Sequence, residues 1–126
     1  MREAIHEERP SGLPLSAAVR GPGVLYLSGQ VALDPATGRL IQGDVAAQTE
    51  RTLQNIQALL QSVGASLDDV LRVGVFLTSM EEFKAMNEVY ARSFRAPFPA
   101  RTTVAVRELP LGAAVEIEMT VADRTR

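Results

Sequence analysis

Val70-Leu71-Arg72-Val73-Gly74-Val75-Phe76-Leu77-Thr78, followed at once by Ser79-Met80-Glu81-Glu82, is the stretch that decides the fold. Successive side chains of a strand alternate, so Val73, Val75 and Leu77 point one way and Arg72, Gly74, Phe76 and Thr78 the other. Ser79 has Glu82 three positions on, the spacing of a capping box that closes the first turn of a helix. The period then changes: Phe83, Met86, Tyr90 and Phe94 form an apolar stripe at helical spacing. Pro97 and Pro99 end that helix and stiffen the approach to a strand over Arg101 to Arg107.

Upstream lies the most strongly marked helix. Asp44 is its N-cap, and Val45, Thr49, Leu53, Ile56, Leu60 and Val63 recur on one face, with Leu59 widening the stripe. Gly64 stands where a helix ends. Before it, Val24 to Val31 reads as a buried strand, entered through a hairpin turn at Gly21-Pro22-Gly23 and left through a turn at Asp34 to Gly38. Ala17 to Arg20 starts another strand, residues 3 to 7 form a short edge strand, and Ser11 to Pro14 is a loop or turn. Downstream, Ala114 to Ala122 is the last strand, joined to its predecessor by a loop containing Pro110 and Gly112. The order of strands, helix, strand, helix, strands predicts one α+β domain over residues 1–126. Its sheet has about six strands and both helices on one face. The second face also carries apolar residues, and self-association is the simplest way to cover it.

Composition removes whole classes of function. The chain has 126 residues, 46% hydrophobic, with no apolar run long enough to span a bilayer. The charged start, Met1 to Glu8, lacks the apolar core of a secretory signal, so the expected compartment is the cytoplasm. There are no cysteines, which excludes disulfides, thiolate nucleophiles and cysteine-held zinc. The one histidine, His6, is read as a solvated terminal residue, and no metal-ligand spacing accompanies it. A net charge of −2 offers nucleic acid no general attraction. No Gly-x-Ser-x-Gly elbow and no phosphate-cradling glycine loop is present.

A few polar residues fall in conspicuous places. Asn87 borders the apolar stripe of the second helix; it either faces solvent or bonds a loop carbonyl, or offers its amide to a ligand. Arg101 follows the rigid Pro97-Phe98-Pro99-Ala100 lead-in. On its strand Thr102, Val104 and Val106 form the more apolar set, which is expected to meet the helices. That puts Arg101, Thr103, Ala105 and Arg107 on the opposite face. A guanidinium held there is either an ordinary strand-end ion pair or a two-pronged grip for a carboxylate. In the last strand Glu116 and Glu118 alternate with Val115, Ile117 and Met119, so they are expected to share the non-helix face with Arg101. Glu116 either makes cross-strand ion pairs or orients a water. Ser28-Gly29, at the end of a buried strand, is either a bulge or a place where a ligand approaches the backbone.

Taken in order, Leu27-Ser28-Gly29-Gln30, Asp44-Val45-Ala46-Ala47-Gln48-Thr49, Leu53-Gln54-Asn55-Ile56, Val75-Phe76-Leu77, Met86-Asn87-Glu88-Val89-Tyr90, Phe98-Pro99-Ala100-Arg101-Thr102 and Val115-Glu116-Ile117-Glu118 resemble the reactive-intermediate deaminase family, also called RidA or YjgF. The resemblance runs from Pro14 almost to the C-terminus. It implies a chorismate-mutase-like α+β fold with a mixed sheet, a homotrimer, and ligand sites in clefts between subunits. It further implies hydrolysis of reactive imines or enamines to 2-oxo acids and ammonia, with no cofactor. Arg101 matches the arginine that binds the substrate carboxylate, and Glu116 the acid that positions the attacking water. Ser28, Gly29 and Asn87 match other pocket positions. Thr103 stands where many members have Cys, at a position that acts largely through its backbone. Leu15 stands where active members commonly carry Tyr, which removes one pocket hydrogen bond and makes the cavity more apolar.

The expected activity is therefore that of a cofactor-free 2-imino acid deaminase, with partners limited to a small carboxylate and further copies of the chain. A non-catalytic, carboxylate-binding regulatory trimer is the second reading, supported by Leu15. An endoribonuclease or translation inhibitor is the third, opposed by the net charge and by the want of a histidine acid–base pair. Neither a nucleic acid, a membrane nor a metal is expected as a partner.

Overall fold

The computed structural model describes residues 2–5 and 12–125. His6 and Ser11, named above, lie outside the described residues. The elements are β1 (Glu3–Ile5), β2 (Ala18–Gly21), β3 (Val24–Gln30), α1 (Val45–Ser62), β4 (Val70–Leu77), α2 (Phe83–Ser93), β5 (Ala100–Ala105) and β6 (Val115–Ala122). They make a six-stranded mixed sheet in the order β1-β2-β3-β6-β4-β5. Only β4 and β5 run parallel, as a strand–helix–strand unit requires; the other neighbours are antiparallel.

α1 forms where its cap and stripe place it. Asp44 Oδ1 accepts from Ala47 N at 2.9 Å, and Gly64, with φ +77°, turns the chain out of the helix. Val45, Thr49, Leu53, Ile56 and Leu60 are buried. Val45, Leu53, Ile56 and Leu60 pack with Met86, Val89 and Tyr90 of α2 and with Leu25, Leu27, Val73, Val75, Leu77, Val115, Ile117, Met119 and Val121 of the sheet. Both helices therefore cover the same sheet face. Thr49 and Thr52 are buried without cost in polarity, because each hydroxyl donates to the carbonyl four residues back, at 2.7 Å.

The start of α2 differs from expectation. Ser79 accepts from Glu81 N at 3.1 Å and caps a 3-10 turn over Met80–Glu82, but no reciprocal bond from Glu82 is formed, and α2 proper begins at Phe83. The complete capping box lies at Ser66–Asp69, where Asp69 Oδ2 accepts from Ser66 N at 3.0 Å while Ser66 Oγ accepts from Asp68 N. Ion pairs brace this corner: Arg95 grips Asp68, and Arg124 pairs with Asp69.

The larger difference is the face of β5. Arg101 is registered with Val73, and Thr103 with Val75, whose side chains are fully buried under the helices. Arg101 and Thr103 thus lie on the helix side of the sheet. Thr102 and Val104 take the open side, where Val104 is 40% exposed and Arg72 donates to Thr102 Oγ1. The expectation that Thr102, Val104 and Val106 meet the helices is overturned. β5 is an edge strand, and its pairing with β4 outweighs the slightly greater apolarity of one set of its side chains. The remaining open face is mixed in character, carrying Tyr26, Phe76 and Val104 beside Arg72, Glu116, Glu118 and Thr120.

Candidate functional site

The predicted site residues fall into two groups. The first gathers where α2 overhangs β5. Arg101, Asn87, Tyr90, Ala91, Phe98 and Pro99 line an open cavity of about 430 Å³. The guanidinium carbon of Arg101 lies 4.6 Å from the centroid of the Tyr90 ring and 5.7 Å from that of Phe83. Among the described residues no carboxylate pairs with it. Asn87 is half-buried beside it, with no side-chain hydrogen bond among the described residues. Thr103 is two positions along the same face, and its Oγ1 is buried without a hydrogen-bond partner among the described residues. Burial raises the Tyr90 phenol above its ordinary pKa, opposed by the charge of Arg101, so the ring stays neutral under the cation.

The second group lies on the open face and the adjoining loop. Glu116 projects from β6 over Gly29. A Cβ on Gly29 would sit 2.9 Å from Glu116 Cδ and closer still to Oε2. Gly29 is thus needed for a close approach, but the visitor is the chain's own carboxylate. The Ser28-Gly29 step is also the register shift between β3 and β6. Ser28 Oγ donates to Ser16 O at 2.6 Å, which ties the segment carrying Leu15 to β3. Leu15 itself is 41% exposed. Burial, and next the charge of Glu118, raise the Glu116 carboxyl above its usual pKa.

Arg101 and Glu116 therefore do not share a face. β4 lies between their strands, with Val73 level with Arg101 and Phe76 level with Glu116. Two strand spacings and three residues of rise separate their Cα atoms by ~14 Å, with the sheet between the side chains. Strand alternation predicts them on one face only if β5 presents its other set of side chains to the helices, which it does not. Phe83 and Tyr90 as supports of Arg101, and Phe98 as a wall, are residues that sequence reasoning missed. The sign available for Phe98 is an aromatic held between two prolines, three residues before the arginine; it is 55% exposed.

A cation and an amide at the mouth of a partly apolar cavity suit a small carboxylate, and a half-buried carboxyl with raised pKa suits proton transfer. Among the described residues no group of three or more His, Cys, Asp or Glu is placed to hold a metal ion, and no helix is long and apolar enough to cross a membrane. The chain belongs to the family described as Endoribonuclease L-PSP, the YjgF/RidA family, which matches residues 6–123.

A RutC family protein of Pyrococcus horikoshii is 43% identical over 121 residues, covering 94% of this chain and 95% of the relative. A 2-iminobutanoate/2-iminopropanoate deaminase of Dermatophagoides farinae is 38% identical, covering 86% of this chain and 84% of its own. The crystal structure of E. coli TdcF with bound serine superposes with a TM-score of 0.82 at 32% identity, over 87% of this chain and 88% of that one.

Proposed function

We infer that the protein is a cofactor-free deaminase that hydrolyses 2-imino acids to 2-oxo acids and ammonia, in clefts between the copies of a homotrimer. The observation that carries this reading is Arg101, a cation at a cavity mouth with no acidic partner among the described residues. Its parallel N–H donors suit the substrate carboxylate. Asn87 stands where a ligand amide or imine nitrogen can be met. A deaminase among the relatives, and a structural neighbour with bound serine, support a small amino-acid-like carboxylate. Glu116 faces away from Arg101 in its own protomer, so it serves the cavity of a neighbouring copy.

In this reading a water held by Glu116 adds through oxygen to the iminium carbon, and the carboxylate takes the proton released. The resulting carbinolamine receives that proton on nitrogen. The C–N bond then breaks, ammonia leaves with the electron pair, and the hydroxyl proton passes to Glu116 as the ketone forms. Burial, and next the charge of Glu118, raise this carboxyl above its usual pKa, which makes it a better acceptor for the proton of the attacking water. Because imine hydrolysis is intrinsically fast, positioning supplies most of the gain.

Leu15 favours a second reading, a regulatory trimer that binds the same carboxylate without turnover. Turnover of 2-imino acids generated in situ by an amino-acid oxidase, followed by loss of imine absorbance, separates the two. Arg101→Ala is expected to lower kcat/KM roughly ten- to a hundredfold or more, since a charge-assisted hydrogen bond contributes about 1.5–3 kcal/mol. Undiminished turnover in that variant would refute the deaminase mechanism; absence of turnover in the wild type, with carboxylate binding intact, would select the regulatory reading.

A further inference from the structure

Three arginines of this chain are held by carboxylates, whereas Arg101 is held differently. Arg20 pairs with Asp123 and Glu3, Arg95 with Asp68, and Arg124 with Asp69. Each of those guanidinium groups spends donors and charge on its partner. Arg101 has no such partner among the described residues and lies over two aromatic rings, Tyr90 at 4.6 Å and Phe83 at 5.7 Å. The Tyr90 ring is itself fixed: the residue is only 5% exposed, and Phe94 braces it at 4.6 Å between centroids.

We propose that Tyr90, assisted by Phe83, is a positioning residue: an aromatic shelf that orients the Arg101 guanidinium for a ligand carboxylate while leaving its charge and its N–H donors unspent. An acidic partner would fix the same side chain more strongly, but it would occupy the donors the ligand needs and neutralise the charge. A ring attracts the cation through its electron-rich face and competes for none of the in-plane N–H groups. The shelf works through the ring and not the hydroxyl. The Tyr90 Oη is buried and has no hydrogen-bond partner among the described residues, so it does not tie down the arginine. This inference rests on the carboxylate-binding reading of Arg101 given above, and it extends that reading to residues that sequence periodicity assigned to the core.

The test is an NMR titration of the full-length protein with butanoate and, in parallel, with butanamide, its uncharged analogue. The quantity read is the preference for the acid over the amide, which a general loosening of the fold does not selectively remove. Arg101→Ala is expected to erase the preference; if it persists, the underlying reading of Arg101 fails, independently of the shelf. Tyr90→Leu, which removes the ring, is expected to reduce the preference roughly tenfold, and Phe83→Leu several-fold, as a cation–ring contact of this closeness implies. Tyr90→Phe restores the ring without the hydroxyl and is expected to recover the preference lost in Tyr90→Leu. The same series is expected to raise KM for a 2-imino acid more than it lowers kcat. The shelf is overturned if Arg101→Ala erases the preference while folded Tyr90→Leu and Phe83→Leu keep it within about twofold, or if Tyr90→Phe loses as much as Tyr90→Leu. Should Tyr90→Leu fail to fold, Phe83→Leu decides, because Phe83 is only half-buried at the first residue of α2.

Discussion

The two faces of the sheet hold their charged groups by opposite devices. On the helix side, Arg101 rests on aromatic rings contributed by α2. On the open side, Glu116 lies over a glycine, where burial, and next the charge of Glu118, disfavour its ionisation. Glu118 repeats the arrangement over Gly74. Aromatic rings anchor a cation without cancelling its charge; a glycine slot makes room for a carboxylate without offering it a counter-ion. The sheet keeps the two groups from neutralising each other within one protomer, so each stays available to a third party. In the proposed trimer, that third party is a ligand between copies.

Subunit mixing would break or sharpen this comparison most strongly. Arg101→Ala and Glu116→Gln are each expected to be nearly inactive alone. Co-expressed at equal levels, they are expected to recover about a quarter of wild-type activity, because random assembly places an intact arginine opposite an intact glutamate at that fraction of interfaces. No recovery above the sum of the single variants, in mixed trimers verified by mass spectrometry, would mean that the two faces do not serve one shared cleft.

Gly29→Ala probes the open face alone. The added methyl collides with the Glu116 carboxylate, which must swing away. We expect kcat to fall on the order of tenfold, with carboxylate affinity at Arg101 nearly unchanged, because a displaced base costs rate and not binding. A rise in KM without loss of kcat would place Gly29 in ligand binding and Glu116 outside the chemistry.

The smallest effect is in pH. The raised pKa of Glu116 predicts that activity climbs with pH above the ordinary carboxylate range, and that Glu116→Gln loses this limb. Stability runs the other way. A carboxyl whose folded pKa lies above its unfolded value contributes fully below the unfolded pKa, and that contribution is lost as pH rises through the folded pKa. Glu116→Gln is therefore expected to melt slightly above wild type at neutral pH and level with it in acid. A scanning-fluorimetry series across pH checks both limbs, and equal melting temperatures throughout would show that Glu116 is not held out of its ionised form.

Much of the architecture is written locally. Asp44, the stripe from Val45 to Leu60 and Gly64 mark α1 by chemistry that operates within a few residues, so a sequence reader finds its start, face and end. The alternation of Val73, Val75 and Leu77, and of Val115, Ile117 and Met119, separates buried from open sides because both sets are strongly apolar. The register shift at Ser28-Gly29 is one of the two readings that the sequence leaves open.

β5 shows where local information ends. Period two divides its side chains into two sets, but choosing which set faces the core needs a clear contrast in apolarity, and Thr102, Val104 and Val106 offer little over Arg101, Thr103 and Ala105. Hydrogen bonding to β4 made the choice, by setting Arg101 level with Val73. The sequence by itself determined the elements, the core stripe of each helix and the residue types available for a carboxylate site. Only the tertiary structure decided that Arg101 sits under α2 on Tyr90 while Glu116 sits beyond the sheet on Gly29. Which groups meet depends on pairing between strands distant in the chain, and no periodicity within a single strand encodes that pairing.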